Sequence, residues 1–149
     1  MHQIDRPLAR IAGIDFGFDH DALFVRVDGV DAVREWLVEG NRLTFRFLQP
    51  ARCTLVVRRP DPGSPVLAEW QGDVPGSSAR PADQPTCGVG SIAEIRIPLF
   101  GIGAGPGAEV AFFVALETSA NVELERHPSG HPIDVRVPDQ RFEAVNWTA

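Results

Sequence analysis

The chain has 149 residues, 44% of them hydrophobic, and a net charge of −6 at pH 7, which fits one globular domain over 1–149 and excludes a disordered chain. Nucleic-acid binding needs a basic stripe, and the densest basic site is the pair Arg58 and Arg59, so nucleic acid is excluded as a partner. No run approaches the roughly 18 apolar residues of a membrane span, and Met1 to Arg10 lack the apolar core of a signal peptide, so the chain reads as cytoplasmic, or as a fragment of a longer cytoplasmic protein.

Strand patterns dominate in chain order. Ile14, Phe16 and Phe18 alternate with Asp15, Gly17 and Asp19, and Leu23, Val25 and Val27 repeat the pattern after a turn at 19–21. A short helix follows. Asp31 is placed to cap it, Val33, Trp36 and Leu37 form its apolar stripe, and Gly40 can take the left-handed position that ends it. Leu43, Phe45 and Phe47 begin a second series of strands, continued by Cys53, Leu55 and Val57 and by Val66 to Trp70. Gly72 to Gly90 reads as a long irregular loop. Ala93, Ile95 and Ile97 alternate again, and Val110 to Leu116 is apolar on both faces, as a central strand should be. Val122 with Leu124, and Ile133 with Val135 and Val137, complete about nine strands at the spacing of an all-β antiparallel sandwich.

Each motif that suggests chemistry also has a plain structural reading. The glycines at 101–107 lead into a strand, not a helix, so they predict a turn and not a dinucleotide loop. His127, Ser129 and His131 share a stretch with Pro128 and Pro132. Two histidines four apart meet one metal only on a helix, which those prolines forbid. No GxSxG elbow is present, and an exposed hairpin loop is expected there. Asp19 with Asp21, and Asp28 with Asp31, could hold calcium or simply form turns and a cap; no metal site is assigned. Cys53 and Cys87 are too few for zinc, and a disulfide between them is disfavoured in the cytosol. No catalytic residue and no cofactor are expected.

Aromatic residues remain as candidates for sugar binding, since the C–H faces of sugar rings stack on flat side chains. Trp36 falls on the helix stripe and should pack in the core. Trp70 beside Glu69, next to the long loop, is the expected exposed platform, with Trp147 and Asn146 as the second candidate pair.

The runs Ile14-Asp15-Phe16-Gly17-Phe18-Asp19 and Leu23-Phe24-Val25-Arg26-Val27-Asp28 resemble the start of the C-terminal domain of family-57 glycoside hydrolases, the α-amylase/α-mannosidase group. Ile92 to Leu99 is similar to that domain's Glu-Ile-x-Ile-Pro strand, and Val122 to Arg126, Phe142-Glu143-Ala144 and Asn146-Trp147 are similar to its tail. More loosely, the chain resembles the DOMON-like family-9 carbohydrate-binding modules. The resemblance implies a non-catalytic carbohydrate-binding or accessory module. Its ligand would be an α-glucan or other oligosaccharide, and its partner a glycoside hydrolase catalytic domain. The competing expectation is a structural module that packs on such a domain or forms a homodimer without binding sugar.

Overall fold

The computed structural model describes residues 9–76, 78 and 80–139. These fold into two antiparallel sheets laid face to face, the expected all-β sandwich. The smaller sheet contains β1 (Ile11–Phe18), β2 (Ala22–Gly29), β6 (Thr86–Val89) and β7 (Ala93–Pro98), in the order β1-β2-β7-β6. The larger contains β3 (Arg42–Gln49), β4 (Cys53–Arg58), β5 (Leu67–Gln71), β8 (Glu109–Glu117), β9 (Glu123–His127) and β10 (Ile133–Arg136). Its path is β10-β8-β3-β4-β5, with β9 also on β8. Among the described residues no helix is long and apolar enough to cross a membrane.

Alternation decides which side chains meet between the sheets. Leu23, Val25 and Val27 of β2 and Ala93, Ile95 and Ile97 of β7 face Leu43, Phe45 and Phe47 of β3 and Val110, Phe112, Val114 and Leu116 of β8, all buried in one core cluster. Each large apolar side chain so removed from water contributes about 1.5–3 kcal/mol before the entropy of ordering it is counted. β8 is the central strand its apolar run predicts, with β3 on one side and β9 and β10 on the other.

The crossing between the sheets after β2 is the helix α1 (Val33–Val38). Val33, Trp36 and Leu37 are its buried face. The backbone N–H groups of Gly40 and Asn41 donate to the carbonyls of Leu37 and Trp36, and Gly40 has φ +93°, the left-handed close expected from the sequence. Its beginning differs from expectation. The carboxylate of Asp31 accepts from the Trp36 indole N–H at 2.7 Å and makes no backbone cap. The N–H groups of Val33 and Arg34 donate instead to the carbonyls of Ser91 and Gly90, so the turn before β7 satisfies the helix start and frees Asp31 to fix the tryptophan.

Three further expectations change. The 72–90 segment is not wholly irregular: it carries a 3₁₀ turn at Pro81–Asp83 and the short edge strand β6, whose Cys87 and Val89 lie opposite Ile95 and Ala93. The 127–132 stretch is no hairpin. β9 and β10 both run antiparallel to β8, beside Val114–Glu117 and Phe112–Glu109 respectively, so they form one strand interrupted in the middle. Pro128 and Pro132 fall in the interruption, and neither can donate to the ladder. Finally, Val122 and Leu124 are exposed. The inward phase of β9 belongs to Glu125, which pairs with Leu116. At this margin of the sandwich Glu125 meets free donors, accepting from the N–H groups of Arg10 and Ile11 at 2.8 Å each.

Candidate functional site

The outward positions of the smaller sheet form two rows across its four strands. One row runs Gly17, Phe24, Arg96, Thr86 and the other Asp15, Arg26, Glu94, Gly88. Cross-strand neighbours stand about 5 Å apart, so the eight positions make one continuous surface. It is a shallow trough of about 370 Å³.

Phe24 is the centre of this face. Leu23 and Val25 on either side of it are buried, whereas Phe24 is 41% exposed. The charged groups around it are partly committed. Arg26 Nε donates to Asp28 at 3.0 Å, and Arg96 Nη1 donates to the carbonyl of Ala82 at 3.2 Å, tying the 3₁₀ turn to the sheet. Asp15 and Glu94 have no hydrogen-bond or ion-pair partner among the described residues. The face therefore offers the Phe24 ring, with Phe16, 44% exposed, lining the same trough at its β1 edge, together with two guanidinium donors and two carboxylate acceptors, opposite charges in equal number. Such a set suits a flat molecule that has C–H faces and many hydroxyls and carries no net charge.

Trp70 and Glu69 are placed elsewhere. Adjacent on β5, they point to opposite faces. Trp70, paired with the buried Leu55, is half-buried against the core, its ring centroid 6.2 Å from that of Phe47. Gly101 lies against the same ring, where an added Cβ would come within 3.0 Å of it. The ring is packed and does not stand free beside the loop. Glu69 is exposed on the outer face of the larger sheet, 3.5 Å from Arg58. Both residues border a depression of about 470 Å³ together with Arg42, Arg58 and Arg59. Trp147 and Asn146 lie outside the described residues. Trp36 is fully buried, as expected.

The remaining sequence candidates have structural uses. Asp19 Oδ1 accepts from the N–H groups of Asp21 and Ala22 at 2.8 and 2.7 Å, forming the β1–β2 turn. Asp28 binds Arg26 and Asp31 holds Trp36. Among the described residues no three His, Cys, Asp or Glu side chains gather as a metal would require. His131 is exposed, with Nδ1 3.3 Å from the carbonyl of Pro132. Both cysteines are free. Burial raises the Cys53 thiol to about 11 and also raises that of Cys87, so neither is a thiolate at neutral pH. The glycine run at 101–107 connects β7 to β8 as a turn, with Ile102 buried beneath it.

Phe24 is not among the tryptophans that suggest sugar stacking, yet its signal is in the sequence. It is a large aromatic in the polar phase of an alternating strand, between Leu23 and Val25 and in step with Arg26 and Asp28. Comparison with known proteins adds no relative: no family model, curated protein or solved structure matches the chain.

Proposed function

We propose that this domain is a non-catalytic carbohydrate-binding module that holds its ligand on the outer face of the four-stranded sheet. The observation that carries the reading is the exposed Phe24 ring set among Arg26, Arg96, Glu94 and Asp15. A pyranose ring lies on the phenyl face through its C–H bonds, while its hydroxyls donate to the two free carboxylates and accept from the guanidinium groups. Equal numbers of opposite charges favour a neutral sugar over a polyanion. The resemblance to the C-terminal domain of family-57 glycoside hydrolases supports α-glucan as the first ligand class and a glycoside hydrolase catalytic domain as partner, in the cytoplasm. In this reading cleavage belongs to that partner.

Native gel electrophoresis through amylose, glycogen, pullulan, β-glucan and xylan tests the reading. The wild type should be retarded by at least one polysaccharide, an α-glucan first, and Phe24→Thr should migrate as in the blank gel. No retardation in any gel, or equal retardation of the variant, overturns the proposal.

A second reading, a structural module that packs on a catalytic domain or on its own copy, is supported by Val122 and Leu124, which are 56% and 49% exposed beside one another at β9. It predicts a homodimer by light scattering that Leu124→Asp converts to monomer, or a catalytic domain that co-purifies with wild type and is lost with the variant.

A further inference from the structure

We infer that the ligand of this face is the interior of an extended polysaccharide chain, crossing the sheet and leaving over both of its edges; this rests on the carbohydrate-binding reading above. The glycines of the two edge strands carry the inference. Gly17 on β1 pairs with Phe24, and Gly88 on β6 pairs with Glu94, so both occupy outward positions of the trough. A Cβ added at either would meet nothing within 4 Å, and neither has the positive φ that would demand glycine.

Glycine inside a strand is unfavourable and often marks a bulge, a tight bend, or the close approach of a ligand or another backbone. Neither position lies at a register shift. The irregularity in β1 falls between Ile11 and Gly13, and β6 pairs with β7 without one. Gly13, the third outward glycine, adjoins that bulge and is accounted for by it. Clearance for something outside the sheet is the reason that remains at Gly17 and Gly88.

The two clearances lie on one oblique path. It enters over Gly17, passes Phe24 and Glu94, and leaves over Gly88, with Arg26 on one side and Arg96 on the other. Across four strands this path is roughly 14 Å long before its obliquity is counted. A site for a chain end needs a wall on one side, and a site for a single sugar needs walls on both. Here the path crosses each edge strand at a glycine, with Asp15 and Thr86 as the neighbouring outward side chains of those strands. The balanced charge of the trough selects a neutral chain over a nucleic acid or an acidic peptide.

The experiment builds the missing walls. Gly17→Leu and Gly88→Leu are compared with wild type and Phe24→Thr by calorimetric titration. The probes are the polysaccharide that retards the wild type, the same chain with its reducing ends converted to alditols, and the disaccharide of the same linkage. Circular dichroism first establishes that each variant is folded. The expected result is that either leucine weakens the polysaccharide by about tenfold or more, equivalent to losing roughly 1.4 kcal/mol. Reduced ends should change nothing, and the disaccharide, weak throughout, should be unaffected by the leucines. Leucine variants that bind the polysaccharide like wild type overturn the inference, and so does a chain whose affinity vanishes when its ends are reduced. In either case sensitivity to Phe24→Thr would leave the binding reading standing. Wild type that binds none of the probes overturns both.

Discussion

Phe24 and Phe113 are both phenylalanines on outer faces of the sandwich, each in reach of an arginine, yet their surroundings differ. Phe113, on β8 of the larger sheet, is 8% exposed because the Arg126 guanidinium lies over its ring at 4.0 Å. Two outward positions further along the same strand Glu117, fully buried, accepts from Arg42 Nη2 at 3.2 Å, from Arg46 and from the Thr44 hydroxyl at 3.2 Å. On the smaller sheet Arg26 turns aside to Asp28 and Arg96 to Ala82, leaving Phe24 and two carboxylates uncovered. The same residue types thus cover the ring of Phe113 on one side and leave that of Phe24 open on the other. Closure comes from the cross-strand partners each side chain is given, and composition alone does not distinguish the two.

The closed face should break first. Glu117→Leu removes the one carboxylate that serves two arginines and leaves both without their ion pair. Truncating one side of a buried charge cluster costs 3–5 kcal/mol where every group is dry. Arg46 is 35% exposed in its side chain, so the low end applies: about 3 kcal/mol, a fall in Tm of roughly 9 °C for a domain of this size. Replacing Glu117, Arg42 and Arg46 together by apolar residues should recover most of that loss. A triple variant as unstable as the single one would show that the cost lies in packing and not in charge.

Next in size come two substitutions that should each cost about 2 kcal/mol in urea denaturation. Phe113→Ala loses the burial of one large apolar side chain, about 1.5–3 kcal/mol, and the ring beneath Arg126. Gly29→Ala forces a methyl to within 2.4 Å of the Asp31 carbonyl oxygen and 2.6 Å of the Trp36 ring, an overpacking that the indole cannot relieve without leaving Asp31. If Gly29→Ala leaves Tm unchanged, the close seat of Trp36 against the end of β2 is not what holds the helix in place.

How much of this was legible in the sequence follows from the range of the interactions. The sandwich, the inward phases of β2, β3, β4, β7 and β8, and the glycine close of the helix are local patterns, and they read directly; in β1 the alternation marks the strand, but Phe16, on its expected inward side, is 44% exposed because β1 is an edge strand. The start of the helix did not, because carbonyls of Gly90 and Ser91 take the place of the side-chain cap. β6 was hidden because four residues, one of them glycine, make too short a pattern to stand out, and β7 supplies the pairing. The phase of β9 was inverted because the partners of Glu125 are N–H groups more than 100 positions away and leave no trace in the local alternation. At the candidate site, Phe24 was visible as an aromatic out of phase. Trp70 stands out by residue type, although its ring is held by Phe47 and Gly101, contacts that belong to tertiary structure.

A smaller effect, of opposite sign, is expected at the edges of the open face. Gly88→Ala adds a methyl into empty space at an ordinary backbone angle, so it should stabilise the fold by about 0.5 kcal/mol through the lower entropy of the unfolded chain. A rise of roughly 1–2 °C in Tm would check it. A loss of stability would mean that β6 needs the glycine for its own pairing, which removes the clearance argument at that edge.

The smallest change in stability should come from the residue with the largest expected role in binding. Phe24→Thr keeps a strand-forming, β-branched side chain on a central strand and removes a ring that lies outside the core cluster. Its expected cost is within about 0.5 kcal/mol, the range of surface substitutions away from structural features, against about 2 for Phe113→Ala on the other face. The contrast is the point of the measurement. A strand position that holds a large exposed ring without contributing to stability is one where the ring serves something outside the fold. Should Phe24→Thr instead lower Tm as far as Phe113→Ala does, Phe24 would be a packing residue, the two faces would differ only in degree, and weakened glycan binding by the variant would no longer identify a site.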